Sequence, residues 1–235
     1  MGLYHSPRII TNGLILALDA ANFKSSISGS SSWNDLSNNG NNATLISGSV
    51  FNSANCGNIV FNGSSSYASI ANNSTFSVQN FTINAWVKFN GFNAYNTIIT
   101  KPQNGPVWSN PYLSWLLRIN NGTTLEFGIG DSSTYNSSAY AYTFSTGKFY
   151  NLVCTFDGQN QISYINNSSV KTINYLVPIT INYTTVPVFI GAGYGASPIG
   201  EFLNGNIYSI AMYNRALTST EVSQNYNATK VRFGL

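Results

Sequence analysis

The residues that could do chemistry in this chain are few, and their scarcity is itself informative. It has one histidine, His5, two cysteines, Cys56 and Cys154, and seven carboxylates among 235 residues. Acyl transfer by a Ser or Cys nucleophile needs a histidine or equivalent base beside it, and His5 stands in an N-terminal segment ahead of the first apolar run. The cysteines form no Cys-x-x-Cys pair, so a structural zinc site lacks its ligands. Glycoside hydrolysis asks for less: two carboxylates roughly 5 to 9 Å apart across the scissile bond. Glu126 is the carboxylate to watch for that role, although glycines, Gly128 and Gly130, hold the next alternate positions.

Binding is better provided for than catalysis. Sugars are held by aromatic rings that stack on their faces and by Asn and Asp side chains that pair with hydroxyls. The segment 91–112 sets Tyr95, Trp108 and Tyr112 among Gly, Pro and Asn, outside any inward alternation, and reads as a loop able to present them. Tyr135, Tyr140, Tyr142 and Tyr194 form a second rank. Trp86 falls on the polar side of its strand, which suits either a ligand or a lid packed over it. Trp115 belongs to the core by periodicity, and Trp33 to its edge.

Strands must position these groups. Leu14 to Asp19 is a short apolar strand. Phe81, Ile83, Ala85, Val87 and Phe89 alternate with Thr82, Asn84, Trp86 and Lys88, the pattern of a half-buried strand. Leu113, Trp115, Leu117 and Ile119 make another inward set, joined through Asn120-Asn121-Gly122 to Thr124–Ile129. Asp157-Gly158 marks a hairpin between Phe149–Phe156 and Gln161–Asn166, and Gly63 to Ser66 one between Asn58–Asn62 and Tyr67–Ala71. Ile207, Ser209, Ala211 and Tyr213 alternate in a closing strand. A helix follows at once, with Thr218 and Glu221 spaced as a capping box; Leu217, Val222 and Tyr226 are expected on one face of it. About a dozen short strands without a fixed repeat imply a sandwich or barrel in a single domain spanning 13–228, between an arm at 1–12 and a tail at 229–235.

Composition narrows the class. Charged residues are 7% of the chain, against about 25% in ordinary soluble domains, and the formal charge of +3 is spread without a cluster. Nucleic-acid binding would need a basic stripe, and no stretch approaches the length of a membrane span or a Sec-type leader. Cys154 shares the inward face with Leu152 and Phe156, so it is expected as a buried small hydrophobe.

Several segments carry a family resemblance. Tyr213-Asn214-Arg215-Ala216-Leu217-Thr218 after the closing strand, the Phe61-Asn62-Gly63-Ser64-Ser65-Ser66-Tyr67 hairpin and the Phe149-to-Gly158 hairpin resemble laminin G-like domains of the concanavalin A-like lectin/glucanase superfamily. The run from Gly13 to Asn22, the preceding Ser6 to Asn12, and Trp33 to Leu45 resemble the subset found in virion genes of tailed phages. The resemblance implies an all-β, two-sheet antiparallel jelly roll with one short C-terminal helix. It also implies a non-enzymatic virion protein, either capsid decoration or tail-associated, that binds host-surface glycans. Such a protein would attach to other virion proteins through its arm and form a homo-oligomer in the assembly. The alternative is a bacterial polysaccharide-binding module or a glucanase-like hydrolase, but the Glu-x-Asp-x-Glu strand of the family's hydrolases is absent. The resemblance further implies a calcium ion, for which Asp19 and Asp35, near Asn22, Asn38 and Asn41, and separately Asp131, are the candidate ligands. The competing reading of Asp19 and Asp35 is that they cap backbone N–H groups at strand ends and turns.

Overall fold

The structure is a computed structural model that describes residues 7–105, 109–110, 112–194 and 199–235. Two eight-stranded antiparallel sheets pack face to face, as the inward alternation requires. In the first sheet the strands run in the order Ser168–Asn174, Asn160–Ile165, Phe149–Phe156, Phe81–Phe89, Asn204–Tyr213, Asn58–Asn62 and Val50–Asn52. Leu14–Asp19 also pairs with the long closing strand. The second sheet orders Tyr135–Ala141, Thr124–Gly130, Trp115–Asn120, Tyr95–Lys101, Val188–Ile190, Tyr67–Ile70, Ala43–Ile46 and Ser32–Trp33.

Between them lies one continuous core. Phe81 meets Trp115 and Phe127 across it and Phe156 beside it in its own sheet, with ring centroids 5.6 to 6.1 Å apart. Cys154 is fully buried there and a free thiol, and burial pushes its pKa up to about 12. Cys56, also free, is exposed. Trp33 is fully buried within the core rather than at its edge.

The chain departs from the sequence expectations at segment 91–112. It is not a loop throughout: Tyr95–Lys101 is a central strand of the second sheet. Its alternation is hidden because Asn96, Thr97, Thr100 and Lys101 are buried polar residues and the register shifts between Thr97 and Ile99. The outer strands Tyr135–Ala141 and Ser168–Asn174 were likewise unforeseen, since both are edge strands with few apolar residues.

The helix Ser219–Thr229 begins where Thr218 and Glu221 close their capping box. It does not present one uniform apolar face. Leu217 and Val222 pack on Tyr213, Val153 and Tyr164, whereas Tyr226 turns to Trp86. Residues 8–12 of the arm lie on this same helix and strand end: the Arg8 carbonyl accepts from Gln224, Ile10 N–H donates to Asn225 Oδ1, and Arg215 Nε donates to the Asn12 carbonyl. This part of the arm is therefore tied to its own domain. The C-terminal turn Lys230–Phe233 also packs inward, Phe233 lying on Trp86.

Candidate functional site

Alternation along the Trp115–Asn120 and Thr124–Gly130 strands sends Leu117, Ile119, Leu125, Phe127 and Ile129 into the core. Arg118, Asn120, Glu126 and Gly128 are left on the outer face of the second sheet. Register places Arg118 beside Glu126 on one side and Thr97 on the other. Arg118 Nε donates to Glu126 Oε2 at 2.9 Å, and Nη1 to Glu201 Oε1 at 2.8 Å. Asn120 Nδ2 donates to Glu126 Oε2 at 2.6 Å, and the Tyr135 hydroxyl to Glu126 Oε1 at 2.5 Å. Gly128 makes this last contact possible, because a Cβ there would collide with the Tyr135 ring end.

Two tyrosines flank this charged group. The Tyr95 ring lies over the Arg118 guanidinium, 4.3 Å from centroid to carbon, and Tyr95 is 42% exposed. Tyr112 sits 6.4 Å from Tyr135, ring to ring. Tyr95 and Tyr112 thus stand at the two ends of one contact chain, through Arg118, Glu126 and Tyr135. Trp108, expected with them, lies outside the described residues. Tyr140 and Tyr142 pack against the core from its rim, Tyr142 beside Phe144 and Tyr150, and Tyr194 pairs with Ile199 in a two-stranded sheet of Gly193–Tyr194 and Ile199–Gly200.

The electrostatics oppose acid catalysis here. Burial alone would raise the Glu126 pKa, but Arg118, the Tyr135 hydroxyl and Asn120 overcome it and hold the carboxyl below its ordinary value. Burial and the Glu126 carboxylate push the Tyr135 phenol far up, so it keeps its proton and donates. A general acid in a glycosidase needs a raised pKa; Glu126 has the opposite. The other carboxylates are also engaged. Glu221 caps the helix and pairs with Arg215 at 2.7 Å, while Asp131 and Asp157 accept backbone N–H groups in tight turns.

The proposed calcium ligands are occupied in the same way. Asp35 accepts from the backbone of Ala17, Ser37 and Asn41 and from the Ser37 hydroxyl. Asp19 Oδ1 accepts from Ala21 N–H and pairs with Arg232 at 2.6 Å. These bonds are those of carboxylates that cap backbone N–H groups at a strand end and a turn, the competing reading of both residues. Among the described residues no three His, Cys, Asp or Glu side chains gather as a metal cluster. Trp86 is the lid case: it is 2% exposed, stacked on Phe233 at 4.2 Å, and its Nε1 donates to Thr229 Oγ1 at 2.9 Å.

A profile of the concanavalin A-like lectin/glucanases superfamily, of laminin G type, matches residues 62–223. The chain belongs to that superfamily. No curated protein matches it. Among solved structures, this concanavalin A-like domain is similar to the binding domain of botulinum neurotoxin DC in complex with rat synaptotagmin II. The identity is 15% and the TM-score 0.71, over 93% of this chain and 52% of that one. It is similar to the binding domain of botulinum neurotoxin serotype G at 21% identity and TM-score 0.66, over 91% and 50%. Trypanosoma rangeli sialidase in complex with sialic acid follows at 15% and 0.66, over 94% and 33%. The concanavalin A-like chain therefore spans about half of those binding domains, and the likeness is one of fold. No helix among the described residues is long and apolar enough to cross a membrane.

Proposed function

We propose that the chain is a non-enzymatic glycan-binding module whose ligand lies on the outer face of the second sheet. The observation that carries this reading is Tyr95, an exposed ring fixed on Arg118 and linked through Glu126 and Tyr135 to Tyr112. A ring immobilised by a cation is a stacking platform that loses little entropy when a sugar arrives. The cell entry of botulinum neurotoxin type C, to which this chain is similar over 52% of that chain's length, depends on interaction with two ganglioside molecules. The test is glycan-array retention of the wild type and Tyr95→Ala: a folded variant that retains glycans as well as the wild type sinks the site.

The biological setting we propose is a tailed-phage particle, as a decoration or tail-associated surface protein and a homo-oligomer there. The Ser6-to-Asn22 resemblance supports it. Residues 8–12 are held on their own helix, so attachment through the arm would fall to residues before Arg8. Cryo-electron microscopy of the particle checks this; a protein that never co-sediments with a virion refutes it. The non-enzymatic part fails if the wild type releases reducing sugar from a glucan and Glu126→Gln abolishes that turnover.

A further inference from the structure

An arginine beside an exposed tyrosine is a natural reader of acidic sugars, because the guanidinium fork pairs with carboxylate or sulfate in two parallel bonds. In this chain the fork is already engaged. Nε goes to Glu126 and Nη1 to Glu201, and the Tyr95 ring covers one face of the guanidinium. One cation against two carboxylates leaves the group a net charge of one negative, on side chains only 7 to 15% exposed. That sign is opposite to the +3 of the whole chain.

Glu201 is the telling residue. Arg118 has a carboxylate partner in Glu126 without it, yet Glu201 is held in place at φ 52°, a left-handed conformation disfavoured for any residue with a Cβ. Thr97 fixes it there: its N–H donates to the Glu201 carbonyl at 3.1 Å, and its hydroxyl to Glu201 Oε2 at 3.1 Å. Strained residues persist where the surroundings over-determine them, and they concentrate at functional positions.

We infer that Glu201 is a specificity-determining residue: by occupying Arg118 it makes this face select uncharged glycans and reject anionic ones. The inference rests on the glycan-binding reading above. Uncharged hexose units can stack on Tyr95 and Tyr112 and donate hydroxyls to the carboxylates, whereas a sialic, uronic or sulfated sugar meets like charge and an arginine already paired.

The experiment compares retention on immobilised laminarin and lactose with that on 3′-sialyllactose, alginate and heparin at low salt. The proteins are the wild type, Glu201→Gln and Thr97→Val, each checked for folding by its thermal melt. The wild type is expected to retain uncharged ligands over anionic ones. In Glu201→Gln the ratio of anionic to uncharged retention should rise about tenfold, because like-charge rejection is removed. Thr97→Val, which frees only one Glu201 oxygen, should move the ratio the same way by less, and it stands in if Glu201→Gln does not fold. A wild type that prefers the anionic ligands, or an unchanged ratio in both folded variants, overturns the selectivity while leaving glycan binding intact. A wild type that retains none of the ligands overturns glycan binding itself, and the selectivity with it.

Discussion

The two outer faces of the sandwich place aromatic side chains at equivalent, outward-pointing positions and treat them differently. On the first sheet Trp86 is sealed between Phe233 at 4.2 Å and Tyr226 at 5.7 Å, with Tyr208 and Phe149 packed around Phe233. On the second sheet Tyr95 rests on Arg118 and stays 42% exposed. The helix and C-terminal turn cover one face; nothing comparable from the described chain covers the ring on the other. An outward aromatic is thus an anchor where the chain returns over it, and a platform where it does not.

The sharpest way to break this comparison is Trp86→Ala. Losing a fully covered indole, its two stacked partners and its bond to Thr229 should cost about 3–5 kcal/mol, read as a lower urea midpoint, with glycan retention per folded molecule unchanged. A cost under about 1 kcal/mol would mean the helix is not held by that ring.

Buried charge gives the next test. Lys101, on the second sheet, is fully buried, and its ammonium donates to Asn72 Oδ1 at 2.6 Å and to the Val186 carbonyl at 2.8 Å. Desolvation pulls its pKa down to about 8 from 10.5. The folded value lies below the unfolded one, so folding carries a constant penalty below pH 8 that is relieved as pH rises from 8 towards 10.5. Stability should therefore climb by at most about 3 kcal/mol over that window, and Lys101→Met should flatten the climb. That climb is Lys101's own contribution and is read as the wild-type minus Lys101→Met difference, because Cys154, Tyr208 and Tyr213, all pushed up to about 12 by burial, make ionisation destabilising above about pH 9 in both proteins. A wild-type minus Lys101→Met difference that is flat from pH 8 to 10 contradicts the burial of this ammonium.

Tyr135→Phe sharpens the charged group itself. It deletes one hydroxyl bond to an ionised carboxylate and should cost about 1.5–3 kcal/mol, with the Glu126 pKa rising as that donor is lost. Carbon-13 NMR of the carboxyl resonances would show no such rise if the bond is absent in solution. The smallest stability effect should come from Tyr95→Ala, under about 1 kcal/mol because the cation–ring contact is half exposed. It should still cause the largest loss of glycan retention. A destabilisation matching that of Trp86→Ala would erase the difference between the faces.

Much of the architecture was legible along the chain. Phe81–Phe89 emerges from alternation, because Phe81, Ile83, Ala85, Val87 and Phe89 face a core of large apolar residues; Leu14–Asp19 emerges as an apolar run and Phe149–Phe156 from the Asp157-Gly158 turn that follows it. The Thr218–Glu221 cap was legible because its parts are three residues apart. Tyr95–Lys101 was not, because its buried face is polar: Asn96 bonds back to the carbonyls of Asn93 and Ile119, and Thr100 to that of Trp115. The candidate site was half legible. Tyr95 and Tyr112 stood out as aromatics among turn residues, and Glu126 as a lone strand carboxylate. Tyr135 stood in the second rank of aromatics, and Arg118 entered only when the pairing of neighbouring strands placed the two on either side of Glu126.

What the amino-acid sequence determined by itself was local: which positions alternate, where turns fall, where the helix is capped, and how few groups could do chemistry. The tertiary structure alone decided that Trp86 would be covered by Phe233 and that Arg118 would meet Glu201. The physical reason is separation along the chain. The cover over Trp86 and the pairing of Arg118 with Glu201 depend on segments 83 or more residues away, and those segments meet only once the two sheets have closed on their common core.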